Sequence, residues 1–237
     1  MADQIGAVAR AGTSRPAHVD PRTARSRRAL RDALAAEIRA TGDLSRVTVT
    51  SVAVRAGLTR RTFYSHFRDI PDLVAQVEDE ALLELDERIR AVADATLEQL
   101  VDLVTEMRPT PGSVELLDYV KANADLYDAL LGDGGDPAFS EKIMDHVHRI
   151  VAPRALDGID AAAVGFFDYY ITFAISAESG VLKRWLAGGM RESTEVMARI
   201  MTMLAFVRPG DLYGFPISFD VSAYGGVLAQ MEEEING

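Results

Sequence analysis

The feature that most constrains this chain is a twenty-residue stretch, Thr48–Phe67, that reads as two short helices around a glycine. Val49, Val52, Ala53 and Ala56 recur at helical spacing and form a thin inner face. Gly57 follows, where a tight turn needs a residue without a Cβ. Thr59 is a good N-cap for a second helix, which Leu58, Phe63 and Phe67 lock to the first. Thr59, Arg60, Arg61, Thr62, Tyr64 and His66 are left outward or at the helix start. That surface suits a polyanion: arginines bridge phosphates or guanine edges, hydroxyls bind phosphate, and a helix N-terminus favours negative charge.

Charge agrees with this. The net charge is −11. From Arg15 to Arg68, however, twelve arginines face four acids (Asp20, Asp32, Glu37, Asp43), a net +8. From Asp69 onward, 12 basic residues face 31 acidic ones, a net −19. A basic head on an acidic body presents one anion-binding surface and repels nucleic acid elsewhere. A solvated arginine-rich leader is the plain alternative for the charge taken alone.

The rest of the chain reads as all-α. Residues 1–23, rich in Gly, Ser, Pro and Arg, form an expected disordered arm. A helix is expected from Ser26, with Leu30, Ala33, Leu34 and Ile38 on one face, and Thr41-Gly42-Asp43 stops it. Residues 24–70 then make a head that carries the two short helices, 71–208 a helical body, and 209–237 an extension. Asp69 and Pro71 open a long helix to about Ala93, striped by Leu73, Val77, Ala81, Leu82, Leu85 and Ile89. Further helices are expected at Thr96–Met107, Ser113–Lys121, Asp125–Leu131, Ala138–Val151, Asp160–Ala187 and Thr194–Val207. Gly132–Asp136 is a loop, Gly188-Gly189 a stop and Ser193 a cap. Ala161–Ala177 is apolar but short for a membrane span and carries Asp168, so it reads as a buried helix of a cytoplasmic protein. In the extension, Ile217–Val221 alternates like a short strand; the tail suggests either a clasp on a partner subunit or a plug over a pocket.

Chemistry of other kinds finds little support. With no cysteine there are no disulfides or thiolate metal sites. No Gly-rich phosphate loop, H-E-x-x-H or G-x-S-x-G occurs, so an enzyme is not expected. His146 and His148, two apart on a helix, point to different faces and do not make one metal site. No cofactor and no metal are expected. A protein-binding adaptor that uses the head as scaffold is the remaining rival.

The stretch resembles the DNA-binding domain of the TetR family, whose pattern runs T-V-x-x-I-A-x-x-A-G-V-S-x-x-T-F-Y-x-H/Y-F. Thr48, Val49, Ala53, Ala56, Gly57, Thr62, Phe63, Tyr64, His66 and Phe67 fall in register, and Val52, Leu58 and Thr59 are near-equivalents. The likeness covers about Ala24–Leu85. It implies a recognition helix at Thr59–Phe67 in the major groove of double-stranded DNA. Thr48, Thr50 and Tyr64 would touch phosphates, and Arg60 and Arg61 would read base edges. Where the family usually places a lysine at the start of the fourth helix, this chain has Ile70; Arg68 is the candidate substitute. Gly180–Ser193 is similar to the junction of the last two helices in regulators of dihydroxyacetone kinase operons. The resemblance implies a homodimer through the two final helices, with a face of Ala174, Ala177, Val181, Trp185, Met197, Ile200, Met201 and Leu204. It also implies a pocket for a small-molecule effector, with candidates Met107, Tyr119, Tyr127, Met144, Phe166, Phe167, Tyr170 and Phe173.

Overall fold

A computed structural model of the chain describes residues 21–158 and 161–205. Ten α-helices and one 3-10 turn make up these residues, and no strand occurs among them. They are α1 (Pro21–Thr41), α2 (Val49–Arg55), α3 (Arg60–Tyr64), α4 (Ile70–Ala93), α5 (Leu97–Thr105) and α6 (Ser113–Ala122). After these come α7 (Ala124–Leu131), α8 (Pro137–Ala155), α9 (Ala161–Ala187) and α10 (Thr194–Leu204). The 3-10 turn, Leu44–Arg46, sits between α1 and α2 and was not expected from the sequence. The arm up to residue 20 and the extension from 209, with its strand-like Ile217–Val221, lie outside the described residues.

Local chemistry explains most helix ends. The Asp69 carboxylate accepts the Asp72 N–H, and Pro71 occupies the first turn of α4, where a missing N–H costs nothing. Ser193 caps α10 and Asp136 caps α8 in the same way. α1 starts at Pro21, five residues ahead of the expected Ser26, so residues 21–23 of the expected arm are its first turn. A fixed φ suits proline to that place. α8 runs past its expected end and through Pro153, which removes only one hydrogen bond in the final turn.

One apolar cluster joins front and back of the molecule. Leu30, Leu34 and Ile38 of α1 meet Val52, Phe63 and Phe67, then Leu73, Val77, Ala81 and Leu85 of α4, and beyond them Tyr127, Leu130, Phe139 and Ile150. A second, smaller cluster holds Leu117 of α6 against Trp185, Met197 and Ala198. Beside it, Thr110 donates its backbone N–H to the buried Thr202 hydroxyl at 2.8 Å, tying the α5–α6 connection to α10.

α9 departs from expectation. It is not a buried helix: Tyr169, Tyr170 and Phe173 are exposed, the first at 78%. Its inner face, with Ile171 and Leu186, is buried, while the aromatic side lies open. Apolar composition alone does not say whether the same chain covers both faces of a helix. No helix among the described residues is long and apolar enough to cross a membrane.

Candidate nucleic-acid interface

α1, α2 and α3 form a compact head in which α3 is held outward. Thr48 caps α2 reciprocally: its hydroxyl accepts the Ser51 N–H at 3.1 Å, and the Ser51 hydroxyl accepts the Thr48 N–H at 3.2 Å. Gly57 turns the chain with φ +68°, a conformation that glycine adopts without penalty. The Thr59 hydroxyl then accepts the Thr62 N–H at 3.1 Å and starts α3. Val52, Ala53, Phe63 and Phe67 are buried, and Val49, Ala56 and Leu58 pack half-buried on them. This fixes which side of α3 faces solvent.

On that side lie Thr59, Arg60, Arg61 and Tyr64, all exposed, with Thr62 half-buried beside them. Thr48 and Thr50, at the start of α2, are exposed as well. Arg60 lies over the Tyr64 ring at 6.0 Å, and Tyr64 meets Phe63 edge-on at 5.6 Å. Among the described residues neither Arg60 nor Arg61 has a carboxylate partner, so both guanidinium groups face outward uncompensated.

His66 and Arg68 are placed differently. His66 is half-buried beside the Phe67 ring; burial first, then the Arg27 charge, holds its imidazole below the ordinary histidine range. It packs at the edge of the candidate interface. Arg68, exposed, donates to Asp72 at 3.1 Å, and its backbone N–H reaches the same carboxylate at 2.7 Å. Those two bonds, with one from Gln76, hold the Asp72 carboxyl at about 2. A phosphate at Arg68 must compete with Asp72. Ile70 packs on the core.

The bulk charge of the head overstates its free positive charge. Arg27 pairs with Glu80 at 2.5 Å and stacks over Phe67; Arg31 pairs with Glu84 at 3.3 Å. Arg39 pairs with Asp125 and Asp128, and Arg55 with Glu37. The Arg27/Arg31 and Glu80/Glu84 pairs are each four residues apart, so two helix faces meet charge to charge. That spacing was available in the sequence as a sign that these arginines serve packing. Arg25 and Arg28, exposed on the early turns of α1, were missed as candidates for the same surface as Arg60.

Among the effector candidates, the Tyr119 and Tyr127 rings meet at 6.3 Å and those of Phe166 and Phe167 at 6.0 Å. Tyr127 is core. The Tyr119 hydroxyl donates to Glu84, and its ring lies 4.0 Å under Arg88. Met107 is exposed in the turn after α5, with φ +52°. Phe166 and Phe167 are half-buried, Phe173 is exposed, Tyr170 donates to the Ala205 carbonyl at 3.0 Å, and Met144 accepts from Ser176. Two open clefts of about 390 and 510 Å³ lie elsewhere, one along Glu87, Arg88 and Glu115, the other along Asp79, Lys142, His148 and Arg149. None of the effector candidates lines either.

Of the dimer candidates, Trp185 and Met197 are buried within the single chain, in one cluster with Leu117 of α6. The Trp185 indole N–H donates to the Glu192 carbonyl at 3.3 Å. Val181, Ile200 and Met201 pack half-buried on that cluster. Ala174 is half-buried, and Ala177 and Leu204 are exposed. The exposed apolar row is Tyr169, Phe173 and Ala177 on α9, with Val196 and Leu204 on α10. His146 and His148 face different carboxylates, Asp86 at 3.2 Å and Asp168 at 3.0 Å, as two faces of one helix require. Among the described residues no cluster of three or more such side chains is placed to hold a metal.

No curated protein matches the chain. Residues 108–206, which span α6 to α10, match the family model of the TetR-type transcriptional regulator C-terminal region. The match falls on the part of the chain behind the head, and it supports a transcriptional regulator of the TetR family.

Proposed function

We propose that the chain is a ligand-responsive repressor that binds a pseudo-palindromic operator as a dimer, with α3 in the major groove. The observation that carries this reading is the outward face of α3. Among the described residues Arg60 and Arg61 stand there without acidic partners, while Arg27, Arg31, Arg39 and Arg55 pair with carboxylates of the chain. Thr48, Thr50, Thr59 and Tyr64 surround them with hydroxyls for phosphate oxygens. Arg60 and Arg61 are the base readers, and Arg68 takes a phosphate when it leaves Asp72.

The exposed row on α9 and α10 supports the dimer, since apolar aromatic side chains in a line favour burial against a second copy. Two recognition helices then stand about one helical turn of DNA apart, roughly 34–36 Å. The effector binds in the body, behind α4, and changes that spacing. The likeness of Gly180–Ser193 to regulators of dihydroxyacetone kinase operons belongs to this proposal, as does the cytoplasmic location.

The test is selection of bound fragments from genomic DNA, followed by footprinting. Two symmetric protected half-sites about 10 base pairs apart, or a multiple of that, support the reading. A protein that is dimeric yet selects no fragment at low salt favours the adaptor.

A further inference from the structure

The connection between α7 and α8 touches the head with its backbone. The Leu44 N–H, just after α1, donates to the Gly134 carbonyl at 2.8 Å. A Cβ on Gly134 would stand 2.3 Å from the Gly42 carbonyl oxygen, 2.5 Å from its carbonyl carbon and 3.0 Å from the Asp43 nitrogen. All three are backbone atoms of the head and cannot swing aside as a side-chain tip can. The neighbouring glycines differ. A Cβ on Gly132 would strike the Asp128 carbonyl, and one on Gly135 the Leu130 carbonyl, both within the body's own α7. Gly134 does not have the positive φ that would by itself require glycine, whereas Gly42 opposite does, at +67°. What keeps a side chain off position 134 is therefore the closeness of the head.

The contact is anchored on both flanks. Arg39, near the end of α1, pairs with Asp125 and lies 3.8 Å from Asp128, both on α7. On the other side, Asp136 accepts the Ala138 N–H and starts α8. Lys142, further along α8, reaches the fully buried Glu78 of α4 at 2.5 Å.

We propose that the Gly132–Gly135 loop is a second strut between body and head, beside the direct run of α4. The body then sets the position of α2 and α3 at two points. Movement of α7 and α8 relative to α4 is passed to the head through a backbone contact too tight to slip. The strut itself rests on geometry alone; its consequence for operator affinity rests on the DNA-reading proposal.

The experiment uses the full chain with Gly134→Ala, and separately Asp125→Asn with Asp128→Asn, which removes the flanking ion pairs without adding bulk. Amide exchange and affinity for a bound genomic fragment are both measured. In Gly134→Ala we expect exchange at Leu44 and across α2–α3 to quicken about tenfold or more, with α9–α10 unchanged. Operator affinity falls about tenfold, in the range of ordinary intramolecular coupling. The Asp125/Asp128 variant moves both readouts in the same direction by less. Faster exchange at Leu44 alone, with α2–α3 and affinity at wild-type values, overturns the strut, as does no change at all. If Gly134→Ala loosens the whole chain, the Asp125/Asp128 variant decides: wild-type exchange across α2–α3 there overturns it. If the wild-type chain binds no DNA, the DNA-reading proposal fails, and the exchange results still decide the strut.

Discussion

At the scale of single residues, the head is specified by a few caps, one turn glycine and the pairing of its charges. Gly57 has φ +68° with open space where a Cβ would go, so an added methyl meets no neighbour. Gly57→Ala therefore costs only the backbone penalty, about 1–2 kcal/mol, and chemical denaturation should read it directly. Glu178 on α9 is a different case. It is half-buried and its carboxyl is pushed up to about 7 by burial. Below about pH 4 it is protonated both folded and unfolded and costs nothing. Between there and pH 7 the unfolded chain releases the proton first, so stability falls as pH rises and levels off above 7. Glu178→Gln should thus raise the melting temperature at pH 8 and leave it unchanged near pH 4. Equal shifts at both values would refute the assignment. The capping residues Thr59, Asp69 and Ser193 could be read from the sequence, because a cap is a local event. The pairing of Arg55 with Glu37 or Arg39 with Asp125 could not, because those partners meet only after the helices pack.

Among elements, the clearest dependence is that of α10 on α6 and α9. Trp185 lies at the centre of that junction, 3% exposed. Trp185→Ala should lower stability by about 3–5 kcal/mol, as expected for a large aromatic removed from a core. Thr202→Val keeps the volume but leaves the buried Thr110 N–H without its acceptor, and should cost about 1–3 kcal/mol. Equilibrium unfolding of the two variants beside wild type checks both. Helix positions were readable from the 3.6-residue apolar period: α4, for example, buries Leu73, Val77, Ala81, Leu85 and Ile89 as its stripe requires. Helix partners were not. The period of α9 does not reveal that α6 takes Trp185 while Tyr169 and Phe173 stay open. The 3-10 turn at Leu44–Arg46 carries no apolar period and depends on Asp43 accepting the Ser45 N–H. Around Gly57 the pattern indicated which side chains would be exposed: Thr59, Arg60, Arg61 and Tyr64 all lie open. Effector candidates could not be sorted from core in the sequence, because the aromatic residues named serve equally in either role.

For the whole molecule, the arrangement is a basic head on an acidic body, sharing one core. The acidic excess of −19 behind residue 68 discourages nucleic acid from the back of the molecule. The head's +8 is partly consumed in fixing the head to α4 and α7, which leaves the α3 face as its best-placed uncompensated charge. Affinity for DNA is therefore expected to depend on a few side chains and on salt, and not on the total charge. The most direct measurement is binding to a selected genomic fragment, titrated with salt, for the wild-type chain beside Arg60→Ala and Arg61→Ala. DNA reading by α3 predicts a steep loss of affinity with salt, each phosphate contact contributing about 0.9 to the logarithmic slope. It predicts that each variant weakens binding by about 1–3 kcal/mol. A flat salt response, or variants that bind as wild type does, would contradict it.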